Sequence, residues 1–129
     1  MKIAVIIVRV LLGALFVFSA VVVLFNLMTP PPQTGPIQKY MEGIVASGYL
    51  LKLIKITELV CGLALIIGRF APLATVVIFP ISVNILFTHA LLAPEGLPTA
   101  IFVFAANLFL AYAYRKNYAT LVMAKPIQS

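Results

Sequence analysis

Ionisable and amide side chains set inside long apolar stretches are the residues of this sequence with the means to do chemistry. Arg9 lies in the first such stretch, Lys55 and Glu58 in the second, Asn84 and His89 in the third, and Asn107 in the fourth. Lys55 and Glu58 stand three residues apart, which on a helix brings an ammonium and a carboxylate within pairing distance. A charge at the centre of a membrane helix costs about 2.5–3.5 kcal/mol on insertion scales, so each such group needs a partner or a purpose. Two readings are open. Arg9, Lys55 and Glu58 form an ion-paired network that fixes helix register, or Glu58 and Lys55 titrate or bind a ligand, as paired intramembrane charges do in proton relays and substrate sites.

Spacing says which faces carry these groups. Leu51, Lys55, Glu58, Gly62, Leu65 and Arg69 recur at four-three intervals and share one stripe. Arg9, Gly13, Phe16 and Ala20 share another, where the small residues let a neighbouring backbone approach. Arg9 is about 9 Å in from Ile3 and Glu58 about 15 Å in from Gly68 at the helical rise, a gap that a guanidinium can reach across. Gly62, Arg69 and Asn107 are read with Arg9 as a structural polar network, Asn107 through a hydrogen bond between helices. Lys55, Glu58, Asn84 and His89 fall between mid-depth and one interface. Asn84 and His89 are about 140° apart around their helix, so meeting Lys55 requires a broad cavity or a turn at Pro80. Such a cavity suits an amphipathic ligand. One histidine with scattered carboxylates offers no metal-ligand spacing.

These groups must be positioned by membrane helices. Of the 129 residues, 64% are apolar and 9% charged, against about 45–50% and 25% in ordinary globular proteins. That excludes a soluble domain and, equally, a disordered one. Four segments are long enough to span: about 3–28, 50–68, 71–92 and 98–114, giving one all-α transmembrane domain over residues 1–129. A cleaved signal peptide is the alternative for the first, but its apolar stretch is too long. Gly68 to Pro72 and Pro94 to Pro98 read as tight turns. The outer loop 29–49 opens on Pro30-Pro31-Pro32, a stiff extended exit. Ile37, Tyr40, Met41, Ile44 and Val45 then recur at helical spacing, predicting a short helix on the outer leaflet. Lys2, Arg69, Arg115, Lys116 and Lys125 collect on one side, so both termini are expected in the cytoplasm. The net charge of +6 is therefore read as topology, with the bilayer as partner and no nucleic acid. Cys61 is the only cysteine, which excludes an internal disulfide or dithiol pair.

Arg9 to Gly13, the stretch from Gly48 to Ala74 and that from Phe79 to Pro98 resemble the DoxX family. The likeness runs from about Arg9 to Leu121. It is most specific at Lys55, Glu58, Gly62, Gly68-Arg69-Phe70, Asn84, His89 and the Pro94 to Pro98 motif. The resemblance implies a small four-helix protein of the bacterial inner membrane. The family takes its name from the small subunit of a thiosulfate:quinone oxidoreductase, and other members are linked to redox and oxidative-stress assemblies. It thus implies a redox enzyme subunit as partner and a quinone as the ligand of the Lys55, Glu58, Asn84 and His89 region. No residue pattern here binds haem, flavin or an iron–sulfur cluster, so no intrinsic cofactor is expected, and electrons would come from a partner or a docked substrate. The competing reading is a non-catalytic scaffold or chaperone-like membrane protein whose polar network is structural. A conducting protein fits worst, for want of an inverted repeat, although a homo-oligomer stays open.

Overall fold

The structure, a computed structural model, describes residues 2–27 and 34–125. Every regular element among the described residues is helical: α1 (Lys2–Leu24), α2 (Pro36–Ala46), α3 (Leu50–Ile67), α4 (Ala71–Leu91) and α5 (Leu97–Ala113). Short 3-10 segments at Pro94–Gly96 and Arg115–Tyr118 precede and follow α5.

The stops are written in residue chemistry. α1 ends at Leu24, short of the expected 3–28 span. Asn26 takes the left-handed conformation at φ 52°, and its N–H donates to the Val23 carbonyl at 3.4 Å while that of Leu27 reaches the Val22 carbonyl at 3.0 Å. This is a Schellman closure with asparagine in the position glycine usually takes. Hydropathy does not register it, because Phe25 and Leu27 flank Asn26. Met28 and the exit read from Pro30-Pro31-Pro32 lie outside the described residues. The other three long helices start and stop within a residue of their expected bounds. Gly68, at φ 88°, closes α3 by donating to the Ala64 carbonyl, and Pro72 sits in the first turn of α4.

α1 lies along α3, α3 against α4, α4 against α5, and α5 returns to α1. Leu12, Phe16, Leu65, Ile78 and Leu110 fill the space between them. Large apolar side chains also cover the outside, where Ile3, Phe18, Val60, Leu73 and Leu91 are each more than half exposed. Water does not tolerate apolar surface on this scale, whereas hydrocarbon requires it. Three stretches are long and apolar enough to cross a membrane: Lys2–Leu24, Ala71–Leu91 and Pro94–Ala113. α3 has 18 residues but carries Lys52, Lys55 and Glu58.

The α1 and α3 backbones touch. A Cβ on Gly13 would stand 2.7 Å from the Gly62 carbonyl oxygen, and one on Gly62 2.8 Å from that of Gly13. Mutual absence of side chains is what permits this approach. The helices run antiparallel, so the start of α1, the α3–α4 turn and the end of α5 share one end. That end carries Lys2, Arg69, Arg115 and Lys116; the opposite end carries Lys39, Glu42, Lys52 and Glu95. Tyr118 donates its hydroxyl to the Pro72 carbonyl at 2.7 Å, tying the segment after α5 to the start of α4. Burial pushes this phenol above the ordinary tyrosine value, so it remains a donor at neutral pH.

α4 passes through Pro80, which denies the Val76 carbonyl its helical partner. Across this point Asn107 of α5, fully buried, accepts from Ser82 Oγ at 2.6 Å and donates to the Thr75 carbonyl at 3.2 Å. One amide thus clamps α4 on both sides of its proline. Asn107→Ala is expected to lower stability by about 1–3 kcal/mol, because it orphans the buried Ser82 hydroxyl as well as emptying space. Thermal unfolding in detergent reads the loss, and adding Ser82→Ala should then cost little more.

Candidate functional site

The Gly13–Gly62 contact sets the register of the site. Six residues further along α1 and seven back along α3 stand Ser19 and Lys55, and Lys55 Nζ donates to Ser19 Oγ at 2.9 Å. The same ammonium is 3.4 Å from Glu58 Oε1, the one salt bridge among the described residues. The Glu58 side chain is buried, and that of Lys55 is mostly so. At this distance the ammonium and the carboxylate oppose each other's charge.

This pair forms part of the wall of a cavity of about 690 Å³. Asn84, Thr88 and His89 of α4 line it as well, and Thr99 of α5 adds a hydroxyl. The cavity therefore gathers Lys55, Glu58, Asn84 and His89, the four residues read from the sequence as ligand-binding. Most of the remaining lining is apolar, from Leu15, Phe16, Leu51, Ile54, Ile81 and Val103 among others.

α2 covers the cavity. Its Tyr40, Met41 and Ile44 line the space, and Ile37 and Ile44 are buried against the rest of the protein. The apolar stripe of this helix is thus spent mainly on protein, with Val45 left exposed. Asn84 Nδ2 donates to the Tyr40 hydroxyl at 2.7 Å and latches α2 to α4. Because that hydroxyl oxygen accepts, its own proton is free for another acceptor. His89 Nδ1 lies 2.9 Å from the Ile85 carbonyl, which can only accept, so Nδ1 is the donor in this contact. The ring packs on Gly96, where any Cβ would overlap it.

Arg9 departs from the expected network. Its guanidinium lies over Gly68 at the end of α3, and a Cβ there would stand 2.8 Å from its Nη1. Helical side chains lean toward the N-terminus of their own helix, which carries Arg9 outward and away from Glu58. The gap measured along the helix axis ignored that direction. Gly62 contributes close packing and no polar group beyond its backbone, and Arg69 is exposed beside Gly68.

Ser19 and Tyr40 complete the site without having been read as part of it. Ser19 registered only as a small residue near a conceivable cleavage point and Tyr40 as an interfacial ring. The available signal was Ser19 itself, a hydroxyl on a helix otherwise apolar beyond Arg9. Among the described residues no group of three metal-ligating side chains gathers.

An apolar helical assembly around a largely apolar cavity with a few polar side chains in its wall has the character of a membrane protein. The chain matches the DoxX family profile over residues 4–91, and it belongs to that family. The match takes in α1 to α4, and with them every cavity residue except those of α5. No curated protein and no solved structure matches the chain.

Proposed function

We propose that the protein is a four-span protein of the bacterial inner membrane, with cytoplasmic termini, that binds a quinone or a similar uncharged amphiphile as the membrane subunit of a redox or oxidative-stress complex. α3 is the fourth span: its three charges are tolerable because Lys55 and Glu58 neutralise each other and Lys52 lies within a turn of the helix start. The collection of basic residues at the end shared by Lys2, Arg69, Arg115 and Lys116 favours that end as cytoplasmic. α2 then lies at the outer interface, over the cavity mouth.

The observation that carries the ligand reading is the charge balance of the cavity. A fatty acid or a phosphate would meet no net positive charge beside Glu58, and an amine no net negative charge. A neutral head with oxygen acceptors fits. Lys55 keeps one N–H beyond those given to Ser19 and Glu58, and Tyr40 keeps its O–H, so the walls offer donors to such a head. Phe18 and Pro80 are exposed as well as cavity-lining, which supports a mouth on the lipid side for an isoprenoid tail. A bound quinone supplies two-electron, two-proton chemistry; the residues of this chain hold and orient its head.

The test is mild-detergent extraction followed by mass spectrometry for co-purified quinone, with thermal shift on adding a short-tailed quinone analogue. Quinone should be retained, and Tyr40→Phe should weaken analogue binding roughly five- to tenfold, the equivalent of one hydrogen bond. An empty protein that shows no shift would overturn the reading and leave the scaffold role.

A further inference from the structure

We propose that Arg9 and Arg69 bind the phosphate of an anionic phospholipid in the leaflet at the end of the protein that carries Lys2. This rests on the membrane placement of the helices and is independent of what fills the cavity.

The starting point is an imbalance that the chain cannot correct itself. It has nine Lys and Arg against three acidic residues. Glu58 is taken by Lys55, while Glu42 on α2 and Glu95 in the 3-10 turn before α5 lie at the opposite end. Among the described residues Arg9 therefore has no side-chain carboxylate within reach, although it sits on an apolar helix two turns in from Lys2. Its Nε is buried and has no hydrogen-bond partner among the described residues. The two Nη groups make no hydrogen bond among the described residues either and, unlike Nε, are not sealed off, so an acceptor from outside the chain can reach them and offset the cost of holding the cation here.

Geometry places the acceptor. Gly68 gives the guanidinium room, and its φ of 88° is one that few residue types besides glycine take easily. The next residue, Arg69, is exposed, and Phe70 beyond it is 76% exposed. The Arg9 guanidinium over Gly68 and an exposed arginine one residue further on thus share the turn where α3 ends, followed by an exposed phenylalanine. Guanidinium forks match phosphate oxygens in a way a lone ammonium does not, and the ring suits acyl chains next to the headgroup. The negative end of the α3 dipole also attracts Arg9. That attraction holds the guanidinium in place but leaves its Nε unsatisfied.

The experiment uses the full chain in a neutral detergent, with phosphatidylglycerol, phosphatidylcholine or inorganic phosphate added, read by native mass spectrometry and thermal unfolding. Phosphatidylglycerol should be retained and raise the unfolding temperature by several degrees, and the other two should not. Arg9→Gln should weaken phosphatidylglycerol binding about tenfold or more, as loss of a charge-assisted pair implies. Arg69→Gln, at an exposed position that folding does not depend on, should weaken it several-fold. Lys116→Gln should leave it unchanged. The proposal fails if both arginine variants bind like the parent, if Lys116→Gln weakens binding as much as Arg69→Gln, or if phosphatidylcholine binds equally. A full shift with inorganic phosphate alone would make this a free-anion site and overturn the lipid assignment.

Discussion

Glu58→Leu is expected to destabilise the protein by about 3–5 kcal/mol, the cost of stranding one member of a buried ion pair. The carboxylate is the only acid near Lys55, and the ammonium it leaves behind retains a single neutral partner, Ser19 Oγ at 2.9 Å. Lys55 cannot escape easily, because its side chain is itself mostly buried between α1 and α3. Glu58→Gln should cost less, since an amide oxygen still accepts from the ammonium. Adding Lys55→Met to Glu58→Leu should recover most of the loss, because removing both charges together removes the need for either. Thermal or denaturant unfolding of the four proteins in one detergent measures the cycle. A double variant no more stable than Glu58→Leu alone would show that the two residues do not act as a pair. The same double variant separates stability from binding. It should fold well and yet bind the quinone analogue more weakly than the parent, as expected if the pair serves the ligand and not the fold.

How much of this was legible in the sequence depended on whether a feature is local. The α3–α4 turn could be read from Gly68 and Pro72 because left-handed glycine and first-turn proline are properties of single residues. The end of α1 could not be read from hydropathy, although Asn26 carries it, because one asparagine between Phe25 and Leu27 barely changes an averaged window. The Lys55–Glu58 pair was legible as an i, i+3 spacing on one helix. Ser19 was not, since its place beside Lys55 follows from a register between helices that only the contact of Gly13 with Gly62 determines. Arg9 shows the same limit from the other side. Depth along the axis put it near Glu58, while the lean of its side chain put it at Gly68. The apolar stripe of α2 was legible as a helix face, but not its use: Ile37 and Ile44 pack on the protein, and Tyr40 bonds to Asn84 across 44 positions of sequence.

Gly62→Val is the second large effect, because the register of the site depends on two missing side chains. Each glycine fills the space where the other would carry a Cβ, and on each side a carbonyl oxygen of the facing backbone is among the first atoms met, joined at Gly62 by Val17 Cγ2. A flexible side chain could move aside, but a backbone cannot do so without moving its helix. Valine should therefore force α1 and α3 apart and cost at least the upper end of the about 1–3 kcal/mol typical of overpacking. Gly62→Ala already places its Cβ 2.8 Å from the Gly13 oxygen and should destabilise in the same direction by less. The consequence reaches Lys55, two turns away on the same helix. Separating the helices lengthens the Lys55–Ser19 bond, so quinone affinity should fall in Gly62→Ala even where most of the protein remains folded. By contrast Gly43→Ala, on α2 where nothing lies within 4 Å of an added Cβ, should change neither stability nor binding. Unfolding temperature and analogue affinity, measured side by side on these three variants, check both statements. Gly62→Val with parental stability would mean that the two backbones do not touch as described, and the register argument for Ser19 and Lys55 would fall with it.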